Sequence, residues 1–286
     1  MEPFSQRQGF RAKKSVIQLN NMDADLRISI WNALDIQYLK RFSDRYDLDV
    51  QEHEYALMVG LWLDYFKETL DTMPDTASGA KKYLKEYFFR CQWFEVYDFI
   101  EFVVNKYYFD SINEEFQQYC NYILERELSG YRFIGGKISP ITGEEEIAEI
   151  EEALQKTKSL EPVIIHLKSA LDLFADRESP DYRNSIKESI SAVEAICRLI
   201  AGGKATLGKA LGKIQREGKI DLHQSLRDAF DKLYGYTSDA EGIRHSLLDE
   251  PNLQFEDAKF MLVSCSAFVN YLKMKASKAG IQLESK

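Results

Sequence analysis

The stretch Asp239–Glu250, DAEGIRHSLLDE, places an arginine directly beside a histidine, Arg244 and His245. Cleaving RNA without a metal needs a base for the 2′-hydroxyl, an acid for the leaving 5′-oxygen and a cation for the phosphorane charge. Histidine titrates near neutral pH and serves as base or acid, whereas arginine stays charged and offers phosphate a bidentate fork. The pair therefore fits a minimal phosphodiester-cleaving site, although an Arg-His dipeptide alone has little specificity.

A basic segment upstream of this pair is a second candidate. Six cations lie within the 22 residues 198–219, against a single acid, Glu217. Such a cluster either holds an RNA backbone through its phosphates or forms an ordinary solvated face. Its members are Arg198, Lys204, Lys209, Lys213, Arg216 and Lys219.

Part of this segment, Gly203–Ala210 (GKATLGKA), approaches the phosphate-cradling pattern G-x-x-x-x-G-K-[ST]. Ala210 stands where a hydroxyl would hold magnesium, and the segment follows a predicted helix, whereas a P-loop follows a strand. We therefore expect these glycines to end a helix and not to hold a nucleotide.

The composition excludes several classes of function. The chain has 286 residues and a formal net charge of −9, so a global basic footprint for passive nucleic-acid binding is absent and any RNA contact must be local. Cysteine, histidine and acidic residues show no metal-ligand spacing, so we expect no metal and no other cofactor. The amino terminus has no apolar block after its charges, and no apolar run is long enough to span a membrane, so we expect a cytoplasmic protein without a membrane partner.

Apolar residues at steps of three and four predict helices in the first half of the chain. These helices are Asn20–Phe42, Gln51–Leu70 and a ring-rich segment, Lys81–Phe109. The ring-rich segment holds twelve aromatic residues between positions 83 and 109, which indicate an aromatic core or, less often, a base-stacking platform. Tyr131–Ser139, with Gly135-Gly136 at its centre, predicts a small β-hairpin.

Polar residues before the apolar runs predict where the later helices begin. Ser111 with Glu114, and Thr142 with Glu145, match the capping-box pattern, and Ser179 precedes a proline at the expected first position of a helix. Four long helices are predicted after the acidic stretch: Glu161–Asp176, Asp181–Ile200, Leu222–Tyr236 and Glu256–Lys275. Because their connections are short, an antiparallel bundle is expected. The fold class is therefore all-α, with a helical amino-terminal domain that carries a small β-hairpin.

Several blocks in the second half resemble the carboxy-terminal HEPN domain of abortive-infection proteins. These blocks are Pro180–Ile200, Thr206–Leu211, Ala229–Ser246 and Glu256–Leu272. The first half resembles an AbiJ-type amino-terminal domain through Phe4–Phe10, Val16–Arg27 and Trp31–Leu34. The resemblance implies an AbiJ-type sensor or regulatory domain at residues 1–143, an acidic linker helix at 144–159 and a four-helix HEPN bundle at 160–286.

HEPN domains often dimerise, and many are metal-independent ribonucleases whose motif is an arginine, a polar residue and a histidine four to six positions after the arginine. Arg244 matches the arginine and His245 the polar position, but Asp249 stands where the distal histidine is expected. An ionised Asp249 would accept hydrogen bonds from Arg244 but would supply no proton. Glu194 is a candidate to orient Arg244, or else it is a helix-surface glutamate.

Two functions follow as hypotheses. In the first, an anti-phage abortive-infection protein cuts tRNA or mRNA to 2′,3′-cyclic phosphate ends, with Arg244 on the scissile phosphate and His245 as base or acid. The basic residues 204–219 would bind the RNA, and a phage-derived trigger or a second defence protein would activate the chain. In the second, the HEPN bundle is a catalytically inactive dimerisation and signalling module. A homodimer through the bundle is expected in both.

Overall fold

The computed structural model describes residues 4, 8, 10, 16–43, 52–155, 160–176, 179–203, 205–236 and 253–283. The chain divides into two compact units, Met1–Thr142 and Gly143–Lys286. Helices dominate both units, and the strands of the described residues form one two-stranded hairpin. The predicted all-α fold with a small β-hairpin is therefore confirmed.

The described residues of the first unit form five α-helices followed by the hairpin. In chain order they are α1 (Ala24–Gln37), α2 (Glu52–Gly60), α3 (Ala77–Arg90), α4 (Trp93–Lys106), α5 (Asp110–Arg126), β1 (Arg132–Ile134) and β2 (Lys137–Ser139). Helix α2 continues into a π-helix, Leu61–Phe66, which ends at Lys67 in the left-handed conformation with φ 59°. Short 3₁₀ turns occupy Leu39–Arg41 and Leu70–Thr72.

The ring-rich segment forms two helices and not one. Helix α3 ends at Arg90, and Gln92 begins α4 as half of a capping box in which Glu95 accepts from the Gln92 amide. Phe88, Phe99 and Tyr107 are buried in the core, and further rings of the segment pack against it. The aromatic-core interpretation is confirmed for these rings, because helical spacing directs them into one interior.

Three predicted caps are wrong. Helix α5 begins at Asp110, before Ser111, and the helix at Glu144 follows Gly143, which makes no side-chain capping bond. The helix after Pro180 is capped by Asp181, whose Oδ1 accepts from the Asn184 amide at 2.9 Å. Aspartate and serine are both good caps, so local sequence does not decide between neighbouring candidates.

The hairpin is held by amide side chains of α4 and α5. In its two-residue turn Gly135 and Gly136 have φ of 56° and 89°, a conformation that favours glycine. Phe133 lies opposite Ile138, a position whose backbone groups point away from the partner strand. Asn121 satisfies both groups: its Oδ1 accepts from Phe133 N at 2.7 Å and its Nδ2 donates to Phe133 O at 2.9 Å.

The second unit contains six α-helices among its described residues. They are α6 (Glu144–Leu154), α7 (Glu161–Ala175), α8 (Tyr182–Ala201), α9 (Leu207–Arg216), α10 (Gln224–Tyr236) and α11 (Phe255–Lys278). Helix α8 is central and packs against α7, α9 and α11. Helix α10 packs on α9, and its Phe230 stacks on Phe268 of α11 with ring centroids 3.4 Å apart. The four long helices predicted after the acidic stretch are all present.

The acidic helix α6 packs against α7 and α11 within the second unit. Its buried residues are Ile147, Ile150, Ala153 and Leu154. Their spacing places them on one face, which is the amphipathic pattern of a helix that lies on a core. The assignment of residues 144–159 as a linker stays a prediction, but α6 itself contributes apolar side chains to the packing of this unit.

Candidate functional site

The Arg-His pair lies outside the described residues. Arg244, His245 and Asp249 fall between α10, which is described to residue 236, and Leu253, where the description resumes. Their expected roles therefore remain predictions. The described candidates lie on α8 and α9, which precede the pair in the chain.

Helix α9 separates an apolar face from a basic face. Leu207, Ala210, Leu211 and Ile214 are buried at helical spacing. This spacing turns the lysines and the arginine of the segment away from the core. The sequence of α9 thus forms a helix that carries three of the cations predicted to bind RNA, Lys209, Lys213 and Arg216.

Two lysines of the basic segment bind the last carbonyl groups of α8. Lys219 Nζ donates to Ile200 O at 3.1 Å and to Ala201 O at 2.8 Å, and Lys213 Nζ donates to Gly202 O at 3.1 Å. The carbonyl groups at a helix carboxy terminus lack intrahelical partners and carry partial negative charge, so cations stabilise them. Lys213 and Lys219 therefore hold the end of α8 in addition to any contact with RNA.

Lys209 and Arg216 face solvent one heptad apart on α9, so they lie on the same side of the helix. Arg216 Nε donates to the Gly212 carbonyl within its own helix at 3.2 Å. Neither side chain forms an ion pair with another described residue. These two cations are the members of the described cluster whose charge is most available to a phosphate. Lys204 lies outside the described residues.

Glu194 is a partly buried carboxylate on α8 that connects to the start of α9. Its Oε2 accepts from the Leu207 amide at 3.2 Å, and its Oε1 pairs with Arg198, one turn further along α8. Arg198 Nε also donates to the Ala205 carbonyl at 2.6 Å. Glu194 and Arg198 therefore fix the loop that joins α8 to α9, and whether Glu194 also orients Arg244 stays a prediction.

The glycine-rich segment that resembles a P-loop joins the end of α8 to the start of α9. Gly202 ends α8 in the left-handed region with φ 68°, as expected for a helix-ending glycine. At the start of α9 the first backbone amide, that of Leu207, is already bound by the carboxylate of Glu194. A helix amino terminus attracts anions, and here an internal carboxylate takes that position.

The three described histidines have local partners. His166 Nδ1 lies 2.6 Å from Glu188 Oε2, which joins α7 to α8. His53 stacks on Tyr108 with ring centroids 4.6 Å apart, and His223 Nδ1 accepts from the Ser225 amide at the start of α10. None of them belongs to a group of three or more potential metal ligands within the described part of the chain.

Burial keeps the cysteine thiols protonated. Desolvation raises the pKa of Cys265 to about 12 and that of half-buried Cys91 to about 11. It also raises the pKa of Cys120 and of Cys197, and for Cys197 the carboxylate of Glu194 adds to the shift. All four thiols are free. Because the thiolate is the reactive form, none of these groups is poised as a nucleophile.

Sequence reasoning missed the polar residues that join helices in both units. Asn270, on the otherwise apolar face of α11, binds the backbone and side chain of Glu149 on α6. Asn121 holds the hairpin in the first unit. Such contacts can be predicted from an amide side chain within a run of apolar residues, as in the stretch Phe268–Leu272 (FVNYL). An amide in this position is buried, and a buried amide requires a hydrogen-bond partner.

No helix among the described residues combines the length and the apolar character that crossing a membrane requires.

The architecture is all-α in two units. The first unit carries a small β-hairpin that is bound by Asn121, and the second unit consists of helices among its described residues. In comparison with known families, the family described as AbiJ N-terminal domain 4 matches residues 2–156. Since this is more than half of the chain, the chain belongs to this family. Membership indicates a role in abortive infection, a defence against phage. No curated protein and no solved structure matches the chain significantly.

Proposed function

We propose that the chain is an abortive-infection ribonuclease whose carboxy-terminal unit is a HEPN domain. The observation that carries this proposal is the position of Arg244 and His245 between α10 and α11 in a chain of an abortive-infection family. The blocks that resemble HEPN domains include parts of α8, α9, α10 and α11, which are helical elements of one compact unit. The amino-terminal domain then senses infection or regulates the second unit.

The chemistry assigned to the pair is a transesterification. A base, His245, takes the proton from the 2′-hydroxyl, and the 2′-oxygen attacks the adjacent phosphorus. Arg244 binds the non-bridging oxygens and stabilises their charge as the bond from phosphorus to the 5′-oxygen breaks. The leaving oxygen takes a proton, so the products are a 2′,3′-cyclic phosphate and a 5′-hydroxyl.

Substrate binding is assigned to the basic face of α9. Lys209 and Arg216 supply solvent-facing cations, and Lys213, which also binds the Gly202 carbonyl, lies between them in the sequence. The net charge of −9 makes contact with RNA depend on this local patch. A tRNA or an mRNA is the proposed substrate, a homodimer through the bundle is the proposed assembly, and a phage-derived trigger or a second defence protein is the proposed activator.

A test compares phage protection and RNA integrity in cells that express the wild-type chain, Arg244→Ala or His245→Ala. We expect both variants to lose RNA cleavage and protection while their melting temperatures stay within about 2 °C of the wild type, since a catalytic side chain need not stabilise the fold. Lys278→Ala, an exposed change on α11, is the matched control and should protect fully. Equal cleavage by wild type and both variants would exclude the assigned chemistry.

A second candidate function is a HEPN module that dimerises and signals without cutting RNA. Asp249 at the position of the distal histidine favours it, because a carboxylate supplies no proton at neutral pH. In this case His245→Ala should lower the melting temperature by several degrees or weaken the dimer, and infected cells should keep intact RNA. Protection by the wild-type chain while RNA stays intact would establish this alternative.

A further inference from the structure

Helix α6 belongs both to the family match and to the second compact unit. The family match extends through residue 156, whereas the second unit begins at Gly143, so Glu144–Leu154 lies in both. The last helix of the family domain is thus packed as a helix of the other unit. A change in the family domain therefore has a direct covalent route to the packing of α11.

A row of polar contacts fastens α6 to α11. Lys259 Nζ pairs with Glu146 Oε2 at 2.7 Å. Asn270 Nδ2 donates to Glu149 O at 2.9 Å and to Glu149 Oε2 at 3.0 Å. One turn further, a lysine of α11 donates to the carbonyl of Glu152 at 2.9 Å. These contacts join α6 to α11 at three places along α11.

Helix α6 is a poor helix by itself. It has 11 residues, six of which are glutamates, and it contains no cation. Like charges three and four residues apart repel, and acids in the last turn oppose the helix dipole. Its first residue follows Gly143, which makes no side-chain capping bond. Isolated helices of this length are marginal in water, so α6 depends on docking to stay helical.

The docked state also leaves one polar atom unsatisfied. Asn270 is buried, and its Oδ1 has no hydrogen-bond partner among the described residues. A buried acceptor without a partner is unfavourable, because water would satisfy it once α6 leaves. Burial also lowers the pKa of Lys273, the lysine that binds the Glu152 carbonyl. The docked contact therefore includes an unfavourable contribution at Asn270 beside its favourable hydrogen bonds.

We propose that α6 is a detachable regulatory helix: docked on α11 it keeps the carboxy-terminal unit at rest, and its release switches that unit on. In the sequence, α11 follows the segment that holds Arg244 and His245, so α11 joins the surface on which α6 packs to the proposed site along the chain. The activity that is switched on rests on the proposed function, whereas the release of α6 from α11 does not depend on it. The cost of undocking is set by these polar contacts and by the buried side chains of Ile147, Ile150, Ala153 and Leu154 on α6.

Two charge variants release α6 without altering the Arg-His pair. Asn270→Asp places a carboxylate against the carbonyl and carboxylate of Glu149 and removes the donor that both oxygens share. Lys259→Glu repels Glu146, and the exchange Lys259→Glu with Glu146→Lys restores the pair. Lys278→Glu makes the same charge change at an exposed position of α11 and is the matched control.

The experiment measures hydrogen–deuterium exchange of the full-length chain and growth of uninfected cells. We expect Asn270→Asp and Lys259→Glu to raise exchange of the α6 amides at least tenfold, to leave α8 protected and to arrest growth. The exchanged pair Lys259→Glu with Glu146→Lys, and Lys278→Glu, should behave as the wild type does. RNA from the arrested cells is sequenced as a separate readout.

The outcomes separate the switch from the ribonuclease. Growth arrest with released α6 and intact RNA supports the switch and overturns the ribonuclease. Released α6 without growth arrest, in a chain that cuts RNA on infection, overturns the switch and leaves the ribonuclease standing. Failure of both variants to release α6 also overturns the switch, because α6 would then be a fixed part of the bundle.

Discussion

At the scale of residues, cations that look equivalent in the basic segment take two different roles. Lys213 and Lys219 bind backbone carbonyls at the end of α8. Lys209 and Arg216 point to solvent from α9. A lysine that satisfies carbonyl groups contributes to folding, whereas an exposed lysine contributes mainly to the surface potential. Substitutions in the two groups should therefore have different effects.

Replacing Lys219 with methionine should lower the free energy of unfolding by about 0.5–1 kcal/mol, because two carbonyl groups lose a charged donor at a helix terminus. Lys209→Met is the matched control and should change the free energy by less than about 0.5 kcal/mol. Urea denaturation of both variants measures the difference. Equal stability of the two variants would show that the Lys219 contacts add nothing to the fold.

The exposed cations should control the affinity for RNA. We expect Lys209→Gln and Arg216→Gln each to weaken binding similarly across RNA sequences and to reduce the salt slope of the logarithm of the binding constant by about 1, because each removes one phosphate contact. Fluorescence anisotropy at several salt concentrations measures this. An exposed lysine on another helix, as in Lys168→Gln, is the control. Unchanged slopes in the α9 variants would remove this face from the proposed RNA site.

The buried thiols predict a loss of stability in alkaline solution. The pKa of Cys265 is raised from 9.0 to about 12, so the neutral thiol is favoured in the folded state. Below pH 9 the thiol is neutral in both states, and its contribution is fully present. Between pH 9 and about 12 only the unfolded thiol ionises, so the free energy of unfolding falls. Partly buried tyrosines such as Tyr87, with a pKa raised to about 12, act in the same direction from about pH 10.

Urea denaturation at about pH 8 and about pH 10.5 tests this effect. Cys265→Ala should lose less stability between the two pH values than the wild type, because one group that ionises only in the unfolded state has been removed. The comparison uses the difference between pH values, so the cost of the smaller side chain cancels. An identical loss in both proteins would mean that Cys265 ionises as easily in the folded chain.

At the scale of elements, the hairpin depends on side chains of the helices beside it. Asn121→Leu should lower the free energy of unfolding by about 2–3 kcal/mol, because the amide and carbonyl of Phe133 lose their partner at once. Gln118→Leu, an exposed change on the same helix, should stay within about 0.5 kcal/mol. Thermal and urea unfolding compare the two. Similar costs would show that water replaces Asn121 without penalty.

The elements themselves were largely readable from the sequence, whereas their ends and their polar contacts were not. The glycine pair at 135–136 specified the hairpin because few turns accept any other residue there. Apolar spacing similarly specified the long helices. The cap at Asp181 and the break at Gln92 escaped prediction, because neighbouring residues offered equally good caps.

Only part of the candidate site could be predicted from the sequence, and the reason differs from that for the helix ends. Periodicity identifies faces of helices, but it does not show that Glu194 binds the Leu207 amide or that two lysines bind the end of α8. These contacts depend on how α8 and α9 meet, which is set by tertiary packing. The Arg-His pair itself was found from residue chemistry and from a family resemblance, and its geometry stays a prediction.

At the scale of the whole molecule, the family match and the compact units do not share a boundary. The match ends at residue 156 and the second unit begins at Gly143. Helix α6 lies within both the family match and the second unit. Under the proposed switch, its packing on α11 is the means by which the family domain acts on the second unit.

The most direct test of the central claim is the chemistry of RNA ends in infected cells. Sequencing that captures 2′,3′-cyclic phosphates should find many new ends in cells with the wild-type chain, and background levels in cells with Arg244→Ala or His245→Ala. The same cells should show matching 5′-hydroxyl ends at the same sites. Protection against phage by the wild-type chain without any gain of cyclic phosphate ends would contradict the ribonuclease.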